Sequence, residues 1–148
     1  MDITDLVAPD RVVVGFPANS KAHLLAELAR RAATATGLRQ KQIGDALEAR
    51  EALGSTGMGA SIAIPHAQIP ELDHFYGLFV RLGRPIDYDA IDGRPVDLVF
   101  LLLIPAKTKE HLQALACICR RLRDADVAVL LRRANGDREA YEALTNGS

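Results

Sequence analysis

Asp97-Leu98-Val99-Phe100-Leu101-Leu102-Leu103-Ile104, closed by Pro105, is the stretch on which the reading of the fold turns. Its apolar run, Leu98 to Ile104, has the length of one strand. It falls far short of the roughly 20 residues that a membrane-spanning helix needs. A strand with one wet face alternates apolar and polar residues. A run without a polar break belongs at the centre of a sheet covered on both sides. Such a sheet calls for helices, and the flanking sequence supplies them.

Upstream, Phe75 to Leu82 reads as a second long strand, with Val12-Val13-Val14 and Ile62-Ala63-Ile64 as shorter ones rich in β-branched residues. Gly83-Arg84-Pro85 and Asp92-Gly93-Arg94-Pro95 are turn-forming punctuation between the long strands. After an N-cap at Asn19-Ser20, the residues Leu24, Leu25, Leu28, Ala29 and Ala32 share one helical face until Gly37 stops it. A second helix is predicted from about Gln40 to Leu53, with Ile43, Ala46, Leu47 and Arg50 on successive turns and Gly54 at its end. Downstream, Lys107 to Arg123 reads as a helix with Leu112, Leu115, Ala116 and Cys119 as its apolar stripe. Two short helices, Val127 to Arg133 and Arg138 to Leu144, flank the Asn135-Gly136 break. The expectation is one α/β domain over residues 1–148, a sandwich in which a mixed sheet of about five strands is flanked by helices.

Composition narrows the function classes. The chain has 148 residues, 49% of them hydrophobic and 25% charged, ordinary proportions for a soluble globular domain. Its 18 basic and 19 acidic side chains leave a net charge of −1 and no basic footprint for nucleic acid or an anionic membrane. The acidic opening Met1-Asp2-Ile3-Thr4-Asp5 is followed by no apolar segment of the secretory kind, which points to the cytoplasm. Cys117 and Cys119, two positions apart in a helical context, lie on different faces and suit neither a disulfide nor a shared metal.

The chemistry concentrates in Gly54-Ser55-Thr56-Gly57-Met58-Gly59-Ala60-Ser61-Ile62-Ala63-Ile64-Pro65-His66-Ala67. A glycine- and hydroxyl-rich loop enters a short strand that ends at a proline, and a histidine follows at once. Proline fixes its own φ and biases Ile64 toward extended geometry, so His66 has a stiff mount. A neutral imidazole can attack phosphorus or carry a proton, and a loop rich in backbone N–H groups can bind phosphoryl oxygens. The pattern suits a phosphohistidine carrier, although a lone histidine is more often structural. His23, in an exposed helical turn, and His74, beside Asp73 in a loop, take the structural reading. The loop lacks the Lys-Ser/Thr of a nucleotide-binding P-loop, and no Gly-x-Ser-x-Gly elbow is present, so ATP binding and Ser/His/Asp hydrolysis are not expected.

Several motifs in fixed order carry a family likeness. Ala49-Arg50-Glu51-Ala52-Leu53-Gly54-Ser55-Thr56-Gly57, then Ile62-Ala63-Ile64-Pro65-His66-Ala67, resembles the type 2 (fructose/mannitol) enzyme IIA domain of the bacterial phosphoenolpyruvate-dependent phosphotransferase system. Pro85-Ile86, Asp89-Ala90-Ile91-Asp92-Gly93, Pro95-Val96-Asp97-Leu98 and Lys109-Glu110-His111-Leu112 continue the likeness over nearly the whole chain. A chain with Ala18-Asn19-Ser20-Lys21 near its start and no attached permease is most similar to the nitrogen-regulatory branch of that family.

The resemblance implies that His66 accepts a phosphoryl group from the phosphohistidine of a small HPr-like carrier. It makes His111 a second active-site histidine close to the first and Arg50 an arginine at the rim. Ala67 stands where many members have glycine, a small-for-small exchange. In-line transfer between imidazoles needs alignment and donors for the equatorial oxygens. The hydroxyls of Ser55 and Thr56 and the amides from Gly57 through Gly59 to Ala60 are expected to supply them, with one nitrogen of His66 donating to a backbone carbonyl. No metal or cofactor is implied, because the phosphoryl group arrives already activated on nitrogen. The downstream partners are either regulatory targets, of the nitrogen- and potassium-related kind, or the cysteine of a IIB domain in sugar transport. A binding module with the same fold and no phosphorylation is the third reading. Met58 and Ile69 are candidates for the contact surface.

Overall fold

The computed structural model describes residues 1–146. Two 3₁₀ turns, Ile3–Asp5 and Pro9–Arg11, precede β1 (Val12–Phe16), α1 (Lys21–Thr36) and α2 (Gln40–Ala52). Then come β2 (Gly57–Gly59), β3 (Ile62–Ala63), β4 (His66–Ile69), β5 (Tyr76–Ile86) and β6 (Val96–Pro105). The chain ends in α3 (His111–Arg123), α4 (Ala125–Arg133) and α5 (Asp137–Thr145).

β6 is the central strand, as its unbroken apolar run requires. It pairs antiparallel with β5 along one edge and parallel with β3 and then β4 along the other, while β1 runs parallel to β5 and β2 closes the far side against β3. Its side chains alternate between two cores. Val99, Leu101 and Leu103 join the cluster under α1 and α2 with Leu28, Ile43 and Leu47. Leu98, Phe100, Leu102 and Ile104 join the cluster under the C-terminal helices with Ile118, Leu131 and Leu144. The period of two sends alternate residues to opposite faces, and each face is roofed by helices.

The boundaries of α1 follow from local chemistry. The Ser20 hydroxyl accepts the N–H of His23 at 3.1 Å, and Gly37 takes a left-handed φ of 76° while its N–H returns to the Ala33 carbonyl. These are the groups a helix end leaves without partners.

Among the described residues the mixed sheet, expected at about five strands, has six, because the glycine-rich segment folds into β2 and the residues after Pro65 form β4. Three local expectations are corrected. His66 therefore opens a strand and is not displayed past the end of one. Gly83-Arg84-Pro85 is no turn but lies inside β5, which continues to Ile86 opposite Val96. The register shifts between Arg81 and Ile86, and a proline is tolerated where the ladder is interrupted. Finally, α3 begins at His111, and its buried stripe is Ala114, Cys117, Ile118 and Leu122. Leu112 is 69% exposed. Apolar residues are frequent enough in this segment to define two adjacent faces, and only the position of the sheet selects one.

Candidate functional site

Arg50, near the end of α2, and His66, at the start of β4, meet across the edge of the sheet. Proline at 65 stiffens the entry to β4, and its carbonyl accepts the N–H of Leu102 at 3.0 Å, which locks the mount to the central strand. The imidazole is half-buried. Its Nδ1 lies 2.8 Å from the Ile64 carbonyl oxygen. A carbonyl can only accept, so Nδ1 carries the proton and Nε2 presents the lone pair. On that side the Nε–H of Arg50 points to Nε2 at 3.3 Å, and Nη1 of the same guanidinium is anchored on the Gly54 carbonyl at 3.0 Å.

Burial pushes the proton affinity of His66 below its ordinary value, and the Arg50 charge pushes the same way. The hydrogen bond to Ile64 and the carboxylate of Glu51 act in the opposite sense but do not prevail. The ring is therefore neutral at neutral pH. Because the folded value is depressed, the unfolded chain binds the extra proton first as pH falls below the ordinary histidine value of 6.5. The expected outcome is that the His66 ring titrates below 6.5 by NMR. Unfolding free energy of the native protein should also fall on acidification through that window, relative to that of His66→Gln. An His66 midpoint above the ordinary value would reverse the sign.

The other predicted residues are placed differently from one another. His111 is the first residue of α3, the helix that follows β6. Among the described residues its Nδ1 is the one buried side-chain polar atom without a hydrogen-bond partner in the protein. No hydrogen bond joins it to His66 or Arg50. The Ser55 hydroxyl donates to the Tyr88 carbonyl at 3.1 Å and accepts the Gly57 N–H at 3.1 Å. Thr56 is 7% exposed, and its hydroxyl donates to the carboxylate of Glu51. Both hydroxyls thus face inward and are already engaged. The Gly57–Ser61 segment is a hairpin, turning through Gly59, Ala60 and Ser61 with φ of 92°, 57° and 65°. The Ala60 N–H is taken by Asp92 at 3.0 Å. Ile69 is 1% exposed and packs in the first core, so it cannot serve as a contact surface, and Met58 is partly buried against the second core. Leu53 and Ile91 are large apolar side chains left in solvent, at 83% and 86% exposure.

Sequence reading missed the groups beneath the site. The Glu51 side chain, beside Arg50, turns inward and pairs with Lys21 at the start of α1, and Tyr88 is fully buried against Thr56. Burial raises the proton affinity of the Tyr88 phenol far above its usual value, and the Glu51 charge adds to this. A charged residue next to another charged residue at a helix end looks like part of a solvated face, and no spacing rule distinguishes it. Among the described residues, no group of three His, Cys, Asp or Glu side chains is disposed to hold a metal ion. No helix among them is long and apolar enough to cross a membrane.

Comparison with known proteins gives a consistent picture. The family model described as phosphoenolpyruvate-dependent sugar phosphotransferase system, EIIA 2, matches residues 5–147. A nitrogen regulatory protein of Bradyrhizobium diazoefficiens is 48% identical over 145 residues, 97% of this chain and 95% of that protein. A nitrogen regulatory protein of Klebsiella oxytoca is 44% identical over 128 residues, 85% of this chain and 79% of that protein. The crystal structure of nitrogen regulatory protein IIA-Ntr from Neisseria meningitidis superposes with a TM-score of 0.90 at 31% identity, covering 97% of this chain and 99% of that one.

Proposed function

Because the chain belongs to the EIIA 2 family of the phosphoenolpyruvate-dependent sugar phosphotransferase system, we propose that it is a regulatory phosphohistidine carrier in which Nε2 of His66 accepts a phosphoryl group from an HPr-like protein. The observation that supports this is the pinned tautomer: Nδ1–H is committed to the Ile64 carbonyl, which leaves the Nε2 lone pair beside a guanidinium. In the transfer step that lone pair forms a bond to phosphorus while the donor's P–N bond breaks. The bonding electrons return to the donor imidazole. The proton on Nδ1 stays against Ile64, and Arg50 shifts its N–H from Nε2 to an equatorial oxygen, where its charge is a strong donor. His111, with an unpartnered ring nitrogen, is proposed as a second donor to the phosphoryl group.

The regulatory part of the reading draws on the relatives' names and on charge. Phosphorylation adds close to two negative charges at His66, and Leu53, 83% exposed, follows Arg50 by three positions at the end of α2. A partner that docks on an apolar, neutral surface would distinguish the two forms. Targets of the nitrogen- or potassium-related kind fit this reading.

The test is uptake of labelled phosphoryl group from a phosphorylated HPr-like carrier in the presence of EDTA. One acid-labile, alkali-stable label per chain is expected, without added Mg²⁺, since the phosphoryl group is already activated on nitrogen. No uptake, or an absolute Mg²⁺ requirement in this single step, would overturn the proposal. Rapid onward passage to the cysteine of a IIB domain would replace the regulatory reading by sugar transport and leave the site chemistry intact.

A further inference from the structure

Glu51 follows Arg50 near the end of α2, yet its side chain turns inward and is 7% exposed. A carboxylate so placed must be paired and hydrogen-bonded to remain ionised. Three donors converge on it. The Lys21 ammonium lies 2.9 Å from Oε1, and the backbone N–H of Thr56 donates to the same oxygen at 3.0 Å. The Thr56 hydroxyl donates to Oε2. That hydroxyl has a single proton and gives it to an acceptor-only group, so the Tyr88 phenol, 2.9 Å away, must be the donor in their pair. Lys21 is held in turn over the Tyr88 ring, 4.5 Å from its centroid.

From this cluster to the imidazole there are two backbone contacts. The Thr56 carbonyl accepts the N–H of Ile64 at 3.1 Å, and the Ile64 carbonyl accepts Nδ1–H of His66 at 2.8 Å. The buried charge therefore ends in the one hydrogen bond that selects the tautomer. Stability alone is a poor reason for such a pair, since apolar replacements of a buried ion pair are often as stable or more so. Orientation is the better one.

We propose that Glu51 is a positioning residue for His66: its carboxylate, neutralised by Lys21, anchors Thr56, and Thr56 holds the Ile64 backbone whose carbonyl fixes the orientation and tautomer of the ring. This rests on His66 being the phosphoryl acceptor. The Glu51 charge also opposes the effects of burial and Arg50 on His66, which keeps the lone pair more basic than those two would leave it.

Glu51→Gln is isosteric but replaces one acceptor oxygen by an NH₂ donor. Its one oxygen has no charge to neutralise Lys21, and its NH₂ group can meet the Thr56 hydroxyl only if that hydroxyl reverses and accepts, which breaks its present donation. In the unphosphorylated variant, the imidazole ¹⁵N resonances of His66 are expected to change from a single Nδ1–H tautomer to a mixture of both. Label uptake should slow by about tenfold to a hundredfold, the scale of a small misplacement of a reacting group, with the label still on His66. Lys21→Met combined with Glu51→Gln removes both charges at once and avoids an unpaired buried ammonium. It should show the same two changes, and it is read in place of the single variant if that one does not fold. An unmixed Nδ1–H tautomer with an unchanged rate, in either folded variant, overturns the proposal. Absence of label in the native protein would instead sink the carrier reading, and the tautomer measurement would still judge Glu51 by itself.

Discussion

His66→Ala is expected to reduce label uptake from a phosphorylated carrier to background, the largest single effect in the molecule. The substitution removes the one imidazole lone pair among the described residues that both faces a cationic donor and is freed by a partner on the opposite ring nitrogen. No other histidine has that arrangement. The Nδ1 of His74 is tied to Asp73, and that of His23 accepts the Asn19 N–H. The fold should survive, because the loss is two hydrogen bonds, one to the Ile64 carbonyl and one from the Arg50 guanidinium, about 2 kcal/mol in all. Urea unfolding of the variant separates loss of chemistry from loss of structure. Label retained on another residue, His111 in particular, would remove His66 from the acceptor role.

Arg50→Ala is expected to slow uptake by about 10² to 10³, the usual scale for removing one donor aimed at developing charge, with the label still on His66. The guanidinium is already within 3.3 Å of Nε2 and is fixed from behind by the Gly54 carbonyl. It needs little rearrangement to reach a phosphoryl oxygen bonded to that nitrogen. Arg50→Lys keeps the charge but loses the planar fork that binds His66 and Gly54 together, so it should recover only part of the rate. Stopped-flow transfer from the labelled carrier measures all three proteins. An unchanged rate in Arg50→Ala would reduce the residue to a helix-end cation. Removing that charge should also raise the titration midpoint of His66, which tests the electrostatic coupling without any phosphoryl donor.

The features legible in the sequence are those whose cause is local. The uninterrupted apolar residues of Leu98–Ile104 require cover on both faces, and β6 has it from two separate cores. Ser20 and Gly37 bound α1 because a cap acts on groups three or four residues away. The stiff mount of His66 could be read from Pro65 for the same reason. Failures occurred where the deciding neighbour is distant in sequence. Of the apolar stripe expected for α3, Leu115 and Cys119 pack against the second core but Leu112 and Ala116 are exposed, because helical periodicity defines faces but does not say which one meets the sheet. The extension of β5 through Pro85 depends on Val96, a residue of another strand. Ser55 and Thr56 have the composition of an open anion loop, but Tyr88, 32 or 33 positions away, draws both hydroxyls inward.

Sequence alone was enough for the α/β class, the two ends of α1 and the stiff mount at Pro65, since these rest on period, caps and the fixed φ of proline. Tertiary structure alone decided which imidazole nitrogen is free, which hydroxyls are spent and where the buried Lys21–Glu51 pair lies. Hydrogen bonds depend on distance and direction in space. Two groups that meet only when α1, α2 and the sheet close on one another leave no regular interval along the chain.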